Sequence, residues 1–189
     1  MQKNSSKTRW NVKTMVFMAL LVAMHLILTR VFVIELGAYR IAIGSVCTIL
    51  SGLWLGPLAG AICGFASDLL GCFMRGYAIN PIITFAAVCW GLIPAFMRPI
   101  LGERSKKAKT IGIIVIVFVT SLVSSLVLTT MGLVLIQGYN FYAIIPGRIV
   151  QFVILVPIYC VVTSLMYFSP LTQMVAENIS AKVLKNKTV

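Results

Sequence analysis

The stretch that decides the fold runs from Pro57 to Phe73 and reads PLAGAICGFASDLLGCF. Its one acidic side chain is Asp68, and nearly all of its other residues are apolar or small. A run of this kind approaches the roughly 20 residues that span about 30 Å of hydrocarbon as a helix. A carboxylate at membrane depth costs free energy, and such residues usually serve a function. Asp68 is therefore the first candidate functional residue.

Similar apolar runs occupy most of the chain. The 189 residues are 60% hydrophobic and 11% charged. Six spans can be drawn, over residues 12–28, 41–55, 57–73, 81–99, 111–137 and 144–167. The second span is short and meets the third at Gly56 and Pro57, which end one helix and begin the next. We predict an all-α membrane protein, with six transmembrane helices in one compact bundle that forms a single domain over residues 1–189.

The distribution of basic residues predicts the orientation. Lys and Arg near the ends of spans stay preferentially on the cytoplasmic side. With both termini cytoplasmic, only four of the 16 Lys and Arg residues lie outside: Arg30, Arg40, Arg75 and Arg148. The net charge of +12 then needs no nucleic-acid partner, because basic segments beside membrane spans favour anionic lipid headgroups.

Polar residues within the spans lie mainly in the outer half. Asp68 follows Pro57 by 11 residues, or about 16 Å of helix, which places it at or beyond the midplane. Residues at comparable height are His25, Arg30, Ser45, Asn80, Thr84, Arg148 and Gln151. This one-sided polarity predicts a cavity that opens outward above an apolar floor. The alternative is a set of helix-end residues that reach back to the interface, together with a structural Asp–Arg pair.

Small residues indicate which way Asp68 faces. Gly60, Gly64 and Asp68 recur at intervals of four residues, and Gly71 follows on the same side. A glycine stripe allows a neighbouring helix to approach the backbone closely, so it points Asp68 into the bundle. Close helix packing and a role in ligand binding explain these glycines equally well.

The usual catalytic and metal-binding motifs are absent from the sequence. There is no GxxxxGK[ST], HExxH or GxSxG, and the only acidic residues are Glu35, Asp68, Glu103 and Glu177. The five cysteines show no CxxC or Cys/His spacing, so they predict neither a disulfide framework nor a metal site. We predict that the chain is not an enzyme.

Several of these features occur together in one known family. The chain resembles a substrate-binding S component of an energy-coupling factor (ECF) vitamin transporter in its six spans, Ala19-xxx-Ala23, GLWLGPLAG from Gly52 to Gly60, and GFASDLLG from Gly64 to Gly71. The segment RIAIGSV from Arg40 to Val46 is similar to the folate subfamily.

The resemblance implies a division of labour in a bacterial plasma membrane. An S component captures its vitamin from outside and docks on a transmembrane coupling protein that carries two ATPase subunits. In that family the AxxxA motif of the first helix contacts the coupling protein, which implies this role for Ala19 and Ala23. No cofactor is implied, because the vitamin is the substrate. The connection that contains Glu35 and Gly37 is expected to act as a gate.

A folate substrate can be matched to individual residues. Asp68 can accept two hydrogen bonds from the amino group and ring N–H of a pterin. Arg148 or Arg40 can meet the glutamyl carboxylates, and Tyr39, Phe85 or Trp90 can stack on the rings. His25 and Gln151 complete the predicted site. Two alternatives remain: an S component for riboflavin, thiamine, pantothenate or biotin, and a stand-alone proton-coupled carrier.

Overall fold

A computed structural model describes residues 12–31, 33–36, 39–102, 105–172 and 174–175. Its elements are α1 (Val12–Arg30), β1 (Ile34–Leu36), β2 (Tyr39–Ile41), α2 (Ser45–Leu55), α3 (Pro57–Arg75), α4 (Pro81–Met97), a 3-10 turn (Arg98–Leu101), α5 (Lys106–Ser121), a π-helical segment (Leu122–Thr129), α6 (Thr130–Leu135) and α7 (Phe141–Phe168). Five continuous helical stretches among these residues are long and apolar enough to cross a membrane. The predicted class of multi-pass helical membrane protein is confirmed.

Most of the predicted spans match these helices within a few residues. The third span corresponds to α3 and the fourth to α4 with its 3-10 turn. The fifth begins earlier than predicted, at Lys106, where Ser105 Oγ accepts a hydrogen bond from Ala108 N at 3.4 Å. A side-chain oxygen at this position satisfies one of the backbone N–H groups that a helix start leaves unpaired.

The second predicted span is wrong in its first residues. β1 and β2 form an antiparallel hairpin in which Ile34 pairs with Ile41 and Leu36 with Tyr39. The strands contain Ile34, Tyr39 and Ile41, and isoleucine and tyrosine favour strands. The helix that follows, α2, has only 11 residues. It is therefore about 16 Å long, which is too short to cross the hydrocarbon core by itself.

The short helix α2 forms the centre of the bundle. All residues from Val46 to Trp54 are buried, and Ile49 is fully inaccessible. A helix that is apolar on every side is stable only when other elements surround it. α1, α3, α4 and α7 all contact α2. The hydrophobic core is therefore built around α2, with α3 and α4 against it.

Helices α3 and α4 pack at backbone distance through glycines. A Cβ at Gly64 would collide with the Ala87 carbonyl, and one at Gly60 would lie 2.7 Å from the Gly91 carbonyl oxygen. Gly52 on α2 meets the same Gly91 carbonyl. Of the two explanations that the sequence left open for the α3 glycines, close helix packing is the one seen at Gly60 and Gly64.

The segment after the hairpin enters the bundle. Tyr159 Oη donates a hydrogen bond of 2.8 Å to the carbonyl oxygen of Ala42, which follows β2 directly. Tyr159 lies beyond the middle of α7, and β2 itself contacts α7. The connection between α1 and α2, predicted as an external loop, is thus anchored beside the helices.

Candidate functional site

Asp68 and Thr84 form the centre of the candidate site. Thr84 Oγ1 donates a hydrogen bond of 2.7 Å to Asp68 Oδ2, and this bond joins α4 to α3. Asp68 continues the glycine face of α3, one turn beyond the point where Gly64 meets Ala87. A hydrogen bond to an ionised carboxylate is among the stronger ones, and it offsets part of the cost of placing Asp68 among apolar helices. The prediction that Asp68 faces into the bundle is confirmed.

Arg30 brings a positive charge to the same place from α1. Its guanidinium lies directly against Gly71, and a Cβ at that glycine would collide with Arg30 Nη2. Gly71 is one helical turn beyond Asp68 on α3, and the Arg30 charge interacts electrostatically with the Asp68 carboxylate. The bare backbone at Gly71 therefore makes room for the charge that accompanies Asp68.

Asn80 supports the site from the start of α4. Its Oδ1 accepts hydrogen bonds from Ile82 N at 3.1 Å and Ile83 N at 3.3 Å, so that it caps the helix. Its backbone carbonyl accepts from Thr84 N and lies 3.1 Å from Thr84 Oγ1. The sequence Asn80-Pro81 is a recognisable helix start, because Asn favours the cap and Pro the first helical position.

His25 lies at the contact between α1 and α2. Its Nδ1 is 3.0 Å from Thr48 Oγ1, and its backbone carbonyl lies against Gly44, where a side chain would not fit. These contacts give His25 a structural role at the N-terminal end of α2. Its predicted contact with folate stays a prediction.

Arg148 and Gln151 form a pair on the first turns of α7. Arg148 Nη1 donates to Gln151 Oε1 at 3.4 Å, and both residues are half-buried. Strand β2, which carries Tyr39 and Arg40, contacts the same helix. The side chains of Glu35, Tyr39 and Arg40 lie outside the described part of the chain, as does Gly37.

The two remaining aromatic candidates have different surroundings. Trp90 is half-buried, and its ring meets Tyr159 edge to face with centroids 5.6 Å apart. Phe85 is 56% exposed, although its neighbour Thr84 is buried. An exposed ring on the outside of α4 is not placed to cover a ligand at Asp68, so we leave Phe85 out of the proposed site.

Ala19 and Ala23 lie on the outer surface of α1. Both are exposed, and they line a groove of about 370 Å³ whose α3 side includes Ile62, Ala66 and Leu70. All the side chains that line the groove are apolar. The absence of bulk at the two alanines leaves a shallow, smooth surface on which another apolar surface can pack.

The residues that surround Asp68 differ from those that the sequence predicted as ligand contacts. Thr84, Asn80 and Arg30 were recognised as polar residues at the depth of Asp68, but they were not included among the predicted ligand contacts. Spacing along α4 gives a usable signal, because Asn80 and Thr84 are separated by one turn and must share a face. Which helix meets that face depends on tertiary packing.

The fold and the site define a multi-pass membrane protein that encloses a polar cluster among apolar helices. A family model described as "ECF transporter, substrate-specific component" matches residues 13–167. The chain belongs to this family of transporter components.

Individual relatives extend the comparison. The chain is 27% identical over 153 residues to the folate transporter FolT of Clostridium novyi (strain NT), covering 80% of this chain and 86% of the relative. Its fold is similar to a crystal structure of FolT bound with folic acid, with a TM-score of 0.69 and 22% identity over 82% of this chain and 92% of that one. It is also similar to a solved S component of a bacterial ECF transporter, with a TM-score of 0.60 and 24% identity over 82% and 93% of the two chains.

Proposed function

We propose that this chain is the folate-binding S component of an ECF importer. Membership of the substrate-specific component family supports the transport role. The similarity to the FolT sequence and to the folic acid-bound FolT structure supports folate as the substrate. The observation that carries the proposal is the half-buried Asp68 carboxylate, held by Thr84 and accompanied by Arg30.

The chemistry of this cluster suits a pterin. A pterin presents a 2-amino group and an adjacent ring N–H on one edge, and the carboxylate of Asp68 can accept both. The hydrogen bond from Thr84 leaves lone pairs on the carboxylate for this contact. The glutamyl tail carries carboxylates, for which Arg148, hydrogen-bonded to Gln151, and Arg40 supply opposite charge. Trp90 and Tyr39 supply ring surfaces, and His25 borders the site from α1.

The rest of the transport cycle requires partners. We propose that Ala19 and Ala23 form the contact with a transmembrane coupling protein, and that two ATPase subunits supply the energy. The chain itself needs no cofactor. We count α2 and the hairpin together as the sixth crossing. An even number of crossings puts both termini on the same side, and we propose that this side is the cytoplasm of a bacterial cell. Residues 1–189 form one domain in this proposal. The hairpin, with Glu35 and Gly37, then lies on the side from which folate enters, in the position of a gate.

Folate titration of the purified chain tests the proposal. Wild-type protein should bind folate without partner proteins. Asp68→Asn keeps the size of the side chain but loses the carboxylate, so it should weaken folate by about 2 kcal/mol or about 30-fold. Ser67→Ala is the matched control, because the Ser67 hydroxyl bonds only within α3, to Cys63 O at 2.7 Å. Binding of riboflavin or thiamine in place of folate would overturn the assignment.

A further inference from the structure

Asn80 is a buried residue in an otherwise exposed connection. Residues 76–79, which link α3 to α4, are all exposed, whereas Asn80 is only 5% exposed. A helix cap at a surface needs no burial, because its hydrogen bonds form equally well when the side chain is accessible. Asn140 shows this at the start of α7, where an exposed side chain accepts from Tyr142 N at 3.0 Å. The burial of Asn80 therefore indicates that its side chain makes a second contact.

That contact is a bridge to α6. Asn80 Nδ2 donates a hydrogen bond of 2.9 Å to the carbonyl oxygen of Gly132. Gly132 permits the approach, because a Cβ there would lie 2.8 Å from Ile83 Cγ1 and 3.4 Å from Asn80 Oδ1. The cap uses the amide oxygen and the bridge uses the amide nitrogen. One side chain thus fixes the first turn of α4 and ties it to α6.

The first turn of α4 determines where the Thr84 hydroxyl points. This hydroxyl has one proton and two acceptors within reach, Asp68 Oδ2 at 2.7 Å and Asn80 O at 3.1 Å. Donation to the carboxylate is the stronger bond at the observed distances. A small shift of α4 relative to α3 would favour the bond within α4, which serine and threonine commonly form in helices. The position of α4 therefore selects the acceptor.

We infer that Asn80 is a positioning residue for the pterin end of the site. This inference rests on the proposed function. Through its bridge to Gly132, Asn80 holds α4 where Thr84 donates to Asp68, and this orients the carboxylate toward the ligand. Asn80 acts through Thr84 and touches no ligand itself. Its contribution to folate affinity therefore exists only when the Thr84 hydroxyl is present.

Two substitutions separate the bridge from the cap. Asn80→Asp and Asn80→Ser both keep a side-chain oxygen that caps α4, and both remove the amide donor. Asp also places an oxygen against the Gly132 carbonyl, while Ser is too short to reach it. Each variant should weaken folate by about tenfold. Asn140→Ala removes the corresponding cap from α7 and should leave folate affinity unchanged.

A double-mutant cycle with Thr84→Val supplies the decisive readout. If Asn80 acts through Thr84, the variant Asn80→Asp/Thr84→Val should lose about tenfold, the same as either single variant. Independent contributions would multiply to about a hundredfold, and that result would overturn the inference. Thermal unfolding of each variant in detergent shows that the protein is folded, and Asn80→Ser replaces Asn80→Asp if the latter does not fold.

The outcomes distinguish the inference from the proposed function. If wild-type protein fails to bind folate, the proposed function is wrong and the inference falls with it. If wild-type protein binds folate and the Asn80 variants bind equally well, only the inference is wrong. An equal loss in Asn140→Ala would show a general effect of helix caps and would also overturn it.

Discussion

At the scale of single residues, the Asp68 carboxylate depends on three residues that two helices, α4 and α1, contribute. Thr84 donates from α4, Arg30 approaches from α1, and Asn80 holds the turn on which Thr84 lies. A carboxylate among apolar helices is stable only when such partners offset its desolvation. The same partners reduce its freedom to rotate, which favours one geometry for an incoming ligand.

The Thr84 hydroxyl should therefore be required for tight binding. Thr84→Val keeps the shape of the side chain and removes the donor to Asp68, and folate affinity should fall about tenfold. Thr84→Ser keeps the hydroxyl and should bind folate within about threefold of wild type. Isothermal titration of the three proteins measures the difference. If Thr84→Val binds folate as tightly as wild type, Asp68 needs no support from α4.

A substitution beside His25 tests whether this residue has a structural role or contacts the ligand. Thr48→Val removes the hydroxyl next to His25 Nδ1 and leaves a half-buried polar ring without this bond. We expect a loss of about 1 kcal/mol in unfolding free energy, seen as a lower melting temperature, with little change in folate affinity. A large loss of affinity at unchanged stability would instead place His25 among the ligand contacts.

The face of α3 that carries Asp68 could be predicted from the sequence, but the residues that meet this face could not. The interval of four residues from Gly60 to Asp68 fixes one face of α3, because helical geometry is local. That Thr84 and Arg30 are the residues meeting this face depends on the crossing of three helices. Phe85 shows the limit: one residue beyond Thr84, it projects from a different side of α4 and is exposed.

At the scale of elements, α3 and α4 behave as one unit. Gly60, Gly64 and Gly91 bring the two backbones together without intervening side chains. Close approach of this kind is a main source of helix association in membranes, where the apolar solvent gives no hydrophobic driving force. The unit places Asp68 and Thr84 at the distance of a hydrogen bond, so packing and site geometry have a common origin.

Adding one methyl group to this contact should separate the helices. In Gly64→Ala the new Cβ would collide with the Ala87 carbonyl, and we expect the unfolding free energy to fall by about 2 kcal/mol. Gly112→Ala is the control, because its nearest neighbour would be Ile100 Cγ2 at 3.5 Å. Gly112→Ala should be neutral or slightly stabilising, since alanine favours helix. Equal melting temperatures would contradict the role of the glycine contact.

The starts of the helices were more predictable from the sequence than the strand β2 that precedes α2. Pro57, Pro81 and Ser105 mark the starts of α3, α4 and α5 through local chemistry. Ile41 is apolar and continues into the apolar run of the second predicted span, but its pairing with Ile34 depends on the other side of the hairpin turn. Hydrophobicity alone does not distinguish the two outcomes for such a short run.

At the scale of the whole molecule, the polar cluster and the Ala19–Ala23 groove occupy different surfaces. Asp68 faces α4, whereas the two alanines are exposed on α1 with Ile62 and Ala66 beside them. The two proposed roles, folate binding and docking to a coupling protein, should therefore be open to independent alteration.

A bulky residue in the groove should block transport without blocking capture. Ala23→Trp fills the surface proposed to meet the coupling protein, so ATP-driven uptake in proteoliposomes with all partners should be lost while folate affinity stays within about twofold. Val161→Trp is the control, because Val161 is similarly exposed on α7. Uptake by Ala23→Trp at the wild-type rate would show that docking uses another face.

The hairpin beside α2 also bears on how the site is hydrated. β1 and β2 pair with each other in a two-stranded sheet, so each strand has an edge whose N–H and C=O groups lie outside that pairing. Hydrocarbon cannot bond to such groups, and non-helical backbone at membrane depth is stable only within protein or beside water. With Ala42 bound to Tyr159 and β2 in contact with α7, the hairpin backbone meets this condition partly against protein, and an edge that protein does not cover requires water. We therefore expect a ligand that enters past this edge to displace water rather than lipid.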